Sequence, residues 1–252
     1  MKIVNLNAEY VVKTNTVSNS NNASSEIATQ NSINANSKIA AQNSTIKIFE
    51  NFSFEIKDGT TVAILGASGT GKSTLLSCIS GITSDNLKYS SDENTFSEFC
   101  AVDFQKSLLL PHLSILENAA LPLYDMYGKK TAQSASLLYL EKVGLSEKAK
   151  SLPSECSGGE CGRAALARAF VFLENCCPDD EVPLLLLDEP FKSQDSETKE
   201  SLINYFLALK KASKKEITTL FVTHSTEEAE KASDRIITLE GRPAFIKDDR
   251  KA

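Results

Sequence analysis

A chain of 252 residues with 41% hydrophobic content can bury a substantial core, and its length suits one large α/β domain. Its formal net charge of −6 supplies no basic field, which argues against nucleic acid or anionic lipid as a partner held by bulk electrostatics. No run approaches the roughly 20 apolar residues of a membrane span, and the N-terminus has no hydrophobic signal core. A soluble chain that reaches any membrane through a partner is expected. Cys78, Cys100, Cys156, Cys161, Cys176 and Cys177 show no paired metal spacing and read as reduced cytosolic thiols.

In chain order, Lys2-Ile3-Val4-Asn5-Leu6-Asn7-Ala8 alternates as a half-buried strand does. Residues 13–45 turn to Asn, Ser, Thr and Ala, a composition that buries too little surface to offset ordering entropy, and read as a mobile insertion. Strand signals resume at 46–49 and 52–56, and Asp58-Gly59 turns into Val62-Ala63-Ile64-Leu65, an antiparallel entry to a parallel core. Apolar residues at helical spacing over 114–123 and 131–143 predict a helical block of about 106–160, punctuated by Pro111, Pro122 and Gly144. Beyond it the pattern alternates: helix 160–173, a buried strand ending at Asp188, helix 197–211, strand 218–223 and helix 227–232.

Gly66-Ala67-Ser68-Gly69-Thr70-Gly71-Lys72-Ser73-Thr74 lies between the strand 62–65 and a helix-like segment from Leu75. Glycines in that context let backbone N–H groups converge on phosphate oxygens at a positive helix end. Lys72 then reaches the β- and γ-phosphates of a nucleotide, and the Ser73 hydroxyl holds Mg²⁺. Asp188-Glu189 closes a later strand, so one carboxylate can orient Mg²⁺ while the other positions or deprotonates an attacking water.

Cys156-Ser157-Gly158-Gly159-Glu160, followed by Arg163-Ala164-Ala165-Leu166-Ala167-Arg168-Ala169, is similar to the signature and signature helix of ABC transporter ATP-binding subunits. The resemblance implies a P-loop NTPase core with a mostly parallel sheet, an N-terminal antiparallel β subdomain and an inserted helical subdomain. It also implies ATP and Mg²⁺ as cofactors and a head-to-tail dimer of two copies, in which Ser157, Gly158, Gly159 and Glu160 of one copy face the ATP on the cradle of the other. By position, Glu189 matches the family's general base, His224 its switch histidine and Asp195 its interface loop. Gln105 matches the glutamine that senses Mg²⁺ and the water, Asp188 the Mg²⁺ carboxylate, and Tyr10 the aromatic that stacks on adenine.

Integral membrane permease subunits, docking beside Leu108-Leu109-Leu110-Pro111, and a solute-binding protein are the implied partners, with the chain peripheral on the cytoplasmic face. Asp188-Glu189-Pro190-Phe191 and Glu240-Gly241-Arg242-Pro243 resemble importers of nitrate, sulfonate or taurine. Residues 110–118 resemble lipoprotein-releasing and macrolide-export ATPases, and a non-transport ATPase is the reading from another class. The chain departs from the family at Cys156 and Glu160, in a short stretch between Lys72 and Gln105 without the Gly-rich strand pair, and in the added 175–181 segment.

Overall fold

A computed structural model describes residues 1–16, 40–103, 108–191 and 196–252. β1 (Lys2–Thr16) and β2 (Ala40–Glu55) form a long antiparallel hairpin, and its register runs from Lys2 opposite Glu55 to Thr16 opposite Ala40. The ladder thus enters the stretch expected to be mobile at both of its ends. Backbone pairing needs no apolar side chains, so a polar sequence can extend a hairpin that its apolar base has already aligned. Residues 17–39 lie outside the described residues. Asn5 and Asn51 take positive φ (50° and 51°) where the register slips, which keeps Ile3, Leu6, Phe49 and Phe52 on the buried face.

β3 (Thr61–Leu65) leads into α1 (Lys72–Ser80), followed by β4 (Leu87–Ser90), β5 (Glu93–Asn94) and β6 (Cys100–Asp103). β4 and β5 both pair with β1. The short stretch, without the Gly-rich pattern around 86–99, therefore still supplies the antiparallel strands, because the free edge of β1 accepts them and Leu87 is buried as their anchor. The helical segment comprises α2 (Ile115–Ala120) and α3 (Tyr124–Lys142), which is kinked at Gly128. α4 (Gly158–Asn175), β7 (Leu184–Asp188), α5 (Ser196–Ala212), β8 (Thr218–Thr223) and α6 (Thr226–Ala232) follow in the expected alternation. Two further strands, β9 (Arg235–Glu240) and β10 (Phe245–Lys251), were not read from the sequence; buried Ile236, Ile237 and Leu239 carry their signal.

The main sheet has the order β10-β9-β3-β8-β7-β6, parallel throughout except for β10. β7 explains its own leucine run: Leu185 and Leu187 face the helices with Phe170, Phe206 and Phe221, while Leu184 and Leu186 face α1 and the antiparallel sheet with Leu75 and Ile64. Both faces are dry, and each such leucine contributes roughly 1.5–3 kcal/mol by burial. The carboxyl ends of β3, β7, β8 and β9 converge on one edge, where ligands bind in sheets of this topology.

Among the described residues, no helix is long and apolar enough to cross a membrane. Asn118 on α2 is fully buried and pins the turn before that helix: it accepts from Leu110 N (2.7 Å) and donates to the carbonyls of Leu110, Leu113 and Ser114 (3.0 Å each). Ser114 and Glu117 close a reciprocal cap on the same helix.

Candidate nucleotide site

The loop from β3 to α1 is sterically compelled to be glycine-rich. A Cβ at Gly71 would lie 2.4 Å from Ile48 Cγ2, and Gly71 sits at φ 96°. One at Gly66 would meet Thr70 Oγ1 at 2.8 Å and the Leu239 carbonyl at 2.9 Å, so β9 backs the loop directly. Thr70 Oγ1 donates to Ala67 O (2.9 Å) and braces the turn. No side chain caps α1, so its first amides keep their donors for a ligand, as an anion cradle requires.

Lys72 is buried, and its ammonium donates to Gly66 O (2.7 Å) and Ala67 O (3.0 Å). Burial lowers its pKa, an effect opposed by the carboxylates of Glu189 and Asp188. Ser73 Oγ donates to Asp188 Oδ1 (3.1 Å), tying the first turn of α1 to the end of β7. A hydroxyl beside a carboxylate is a hard-oxygen set that suits Mg²⁺ sharing its remaining ligands with phosphate and water.

Glu189 is 19% exposed and held at φ 50°, with its N–H donating to Val222 O (3.0 Å). A non-glycine residue in this region is strained, and such strain concentrates at functional sites. Its Oε1 lies 3.3 Å from His224 Nδ1, on a histidine 58% exposed. The His224 turn is fixed from below: Thr223 Oγ1 donates to buried Glu228 and accepts from Ser225 N (3.1 Å), while Lys199 pairs with Glu228 at 2.9 Å.

Tyr10, Ile48, Ser68, Gly69, Gly71, Lys72, Ser73, Thr74, Asp188, Glu189 and Arg242 line one cleft of about 300 Å³. Tyr10 is anchored there by a 3.4 Å contact between its hydroxyl and Thr74 Oγ1. Ile48 walls this cleft without any motif in the sequence to mark it, and Arg242 reaches it only because β9 lies beside β3. Gln105 and Asp195 lie outside the described residues.

Ser157, Gly158, Gly159 and Glu160 do not line the cleft. They open α4, where Ser157 Oγ accepts from Glu160 N (3.2 Å) and Glu160 Oε2 accepts from Ser157 N (2.7 Å). That second bond holds the Glu160 carboxyl below its ordinary pKa. Ser157 and Gly158 are exposed, and a Cβ at Gly158 would meet nothing within 4 Å. All six cysteines are free thiols, and no cluster of metal-binding side chains occurs among the described residues.

Asp103, at the end of β6, is pushed up to about 6 by burial, with the Arg168 guanidinium opposing. Arg168 also donates to Leu108 O (2.8 Å), linking α4 to the rim of the segment beyond β6. A raised folded-state pKa means stability is lost as pH rises from the unfolded value through about 6. Asp103→Asn should therefore gain about 2 kcal/mol on the native protein between pH 4.5 and 8. Urea unfolding of both proteins at the two pH values measures this, and a pH-independent difference would contradict it.

Residues 49–192 match the ABC transporter family. The chain belongs to that family. Its reaction is the binding and hydrolysis of ATP in service of transport. It is 37% identical to the aliphatic sulfonates import ATP-binding protein SsuB 1 of Paracoccus denitrificans, over 81% of this chain and 77% of the relative. It is 31% identical to the glutamine transport ATP-binding protein GlnQ of Geobacillus stearothermophilus, over 77% and 81%. Among solved structures, a dimeric bacterial ABC transporter cassette superposes with a TM-score of 0.65 at 27% identity, covering 82% of this cassette and 92% of that one. A dimeric ATP-binding cassette bound to ADP and Pi shares the fold at TM-score 0.68 and 24% identity, covering 100% and 98%.

Proposed function

We propose that two copies of this cassette pack head to tail around two MgATP, so that the exposed start of α4 in one copy completes the cleft of the other. The observation that carries this reading is the division of the site: the cradle, Asp188, Glu189 and, through Glu189, His224 share one cleft, while Ser157 and Gly158 present an open helix start away from it. The dimeric relative supports the arrangement.

Glu189 positions and deprotonates the attacking water. His224, held at 3.3 Å from Glu189, orients that carboxylate and faces the γ-phosphate. Lys72 leaves its loop carbonyls for phosphate oxygens, and the α1 amides hold the remaining charge. Ser73 and Asp188, with Gln105, would hold Mg²⁺, which when bound would neutralise charge on the phosphate oxygens. Asp195 contributes at the dimer interface, and Tyr10 stacks on adenine.

The cassette acts on the cytoplasmic face through integral membrane permease subunits, which seat near Leu108, 61% exposed, and Leu110. Its solute is a small organic anion of the sulfonate kind, delivered by a solute-binding protein; the sulfonate import relatives, at 35–37% identity, support this over export. Affinity capture of the tagged chain from detergent-solubilised membranes should recover an integral membrane subunit. Recovery of ribosomes or DNA alone would overturn the transport assignment.

A further inference from the structure

Lys72 is not the only cation in the cleft. Arg242 lies in the turn between β9 and β10, on the flank of the phosphate loop opposite β8. The turn is tied to β2. Ala244 is buried, its N–H donates to Ile48 O (2.7 Å), and it bridges to Phe49 in parallel register. Ile48 is the residue against which Gly71 packs, so the Arg242 turn, β2 and the cradle form one contiguous unit. The Arg242 side chain is exposed and makes no hydrogen bond or ion pair with the described residues.

Asp188 and Glu189 line the same cleft, and the Lys72 ammonium there is engaged by two loop carbonyls. A guanidinium can add a planar two-point contact to phosphate oxygens that an ammonium cannot. We propose that Arg242 is a phosphate-binding residue of the nucleotide site, reaching from the β9–β10 turn to the α- or β-phosphate of bound ADP or ATP. It shares the cleft with the loop residues Ser68, Gly69 and Gly71, whereas the base has Tyr10 available for stacking. The inference rests on the nucleotide-site reading above and adds to it a residue outside the loop and strand-end motifs.

The test is competition binding against a fluorescent ADP analogue, without Mg²⁺, using ADP and adenosine on wild type, Arg242→Ala, Arg242→Gln and Arg242→Lys. Arg242→Ala and Arg242→Gln should weaken ADP roughly tenfold or more and flatten its salt dependence. Adenosine should be unchanged within about twofold, and Arg242→Lys should recover part of the loss. Thermal melting of each variant checks the fold. Binding of ADP within about twofold of wild type overturns the proposal, as does an equal loss for ADP and adenosine, which would mark a base-side or structural role. A wild-type protein that binds no ADP is a different result: it overturns the nucleotide site itself.

Discussion

Glu189→Gln should lower steady-state ATP hydrolysis by about 10²–10⁴-fold while leaving ATP affinity within a few-fold. The two side chains are nearly the same size, so the left-handed backbone at φ 50° and the bond from Glu189 N to Val222 O are undisturbed. On the proposed role of Glu189, what is lost is the negative charge that takes the proton of the water. The amide can still meet His224 Nδ1, now 3.3 Å from a carboxylate oxygen, so the turn should keep its shape. With hydrolysis blocked and binding intact, an ATP-bound dimer should accumulate and elute ahead of the nucleotide-free protein in size-exclusion chromatography. Phosphate release at the wild-type rate would remove Glu189 from the role of base, whatever the dimer does.

Lys72→Met should separate binding from stability. Loss of a charge-assisted contact to phosphate weakens ADP and ATP by roughly 10–100-fold. The folded protein should change by less than about 1 kcal/mol, because two opposing effects meet at this residue. Removing the buried ammonium relieves its desolvation, the main cause of its lowered pKa. Against that, the Gly66 and Ala67 carbonyls lose their donor. Nucleotide titration and urea unfolding on the same preparation read the two quantities. A stability loss as large as the loss of binding energy would make Lys72 a structural residue of the loop instead.

The phosphate loop was legible because its constraints are local. Strand, glycines and helix lie within about twenty consecutive residues, and the clashes that a Cβ would meet at Gly66 and Gly71 leave their mark on the sequence directly. The β7 leucine run was legible for a related reason: a strand buried on both faces has no polar positions to blur it. Residues 86–99 were harder, since β4 and β5 exist only by leaning on the edge of β1 far earlier in the chain. The polar ends of the hairpin carry no strand signal in the sequence because composition reports what a side chain can bury, whereas the ladder there is a property of paired backbone. β9 and β10 went unread, and with them the position of Arg242.

Elements whose chemistry is contiguous are written locally in the chain: the cradle at 66–74, the carboxylate pair at 188–189, the histidine at 224 and the Ser-Gly-Gly start of α4. Folding is what brings Ser73 to Asp188 and His224 to Glu189, and what makes Tyr10, Ile48 and Arg242 enclose one cleft that Ser157 does not line. The physical reason is the parallel sheet. It aligns the carboxyl ends of strands separated by more than a hundred residues, and no local pattern encodes which side chains that alignment brings within hydrogen-bonding distance.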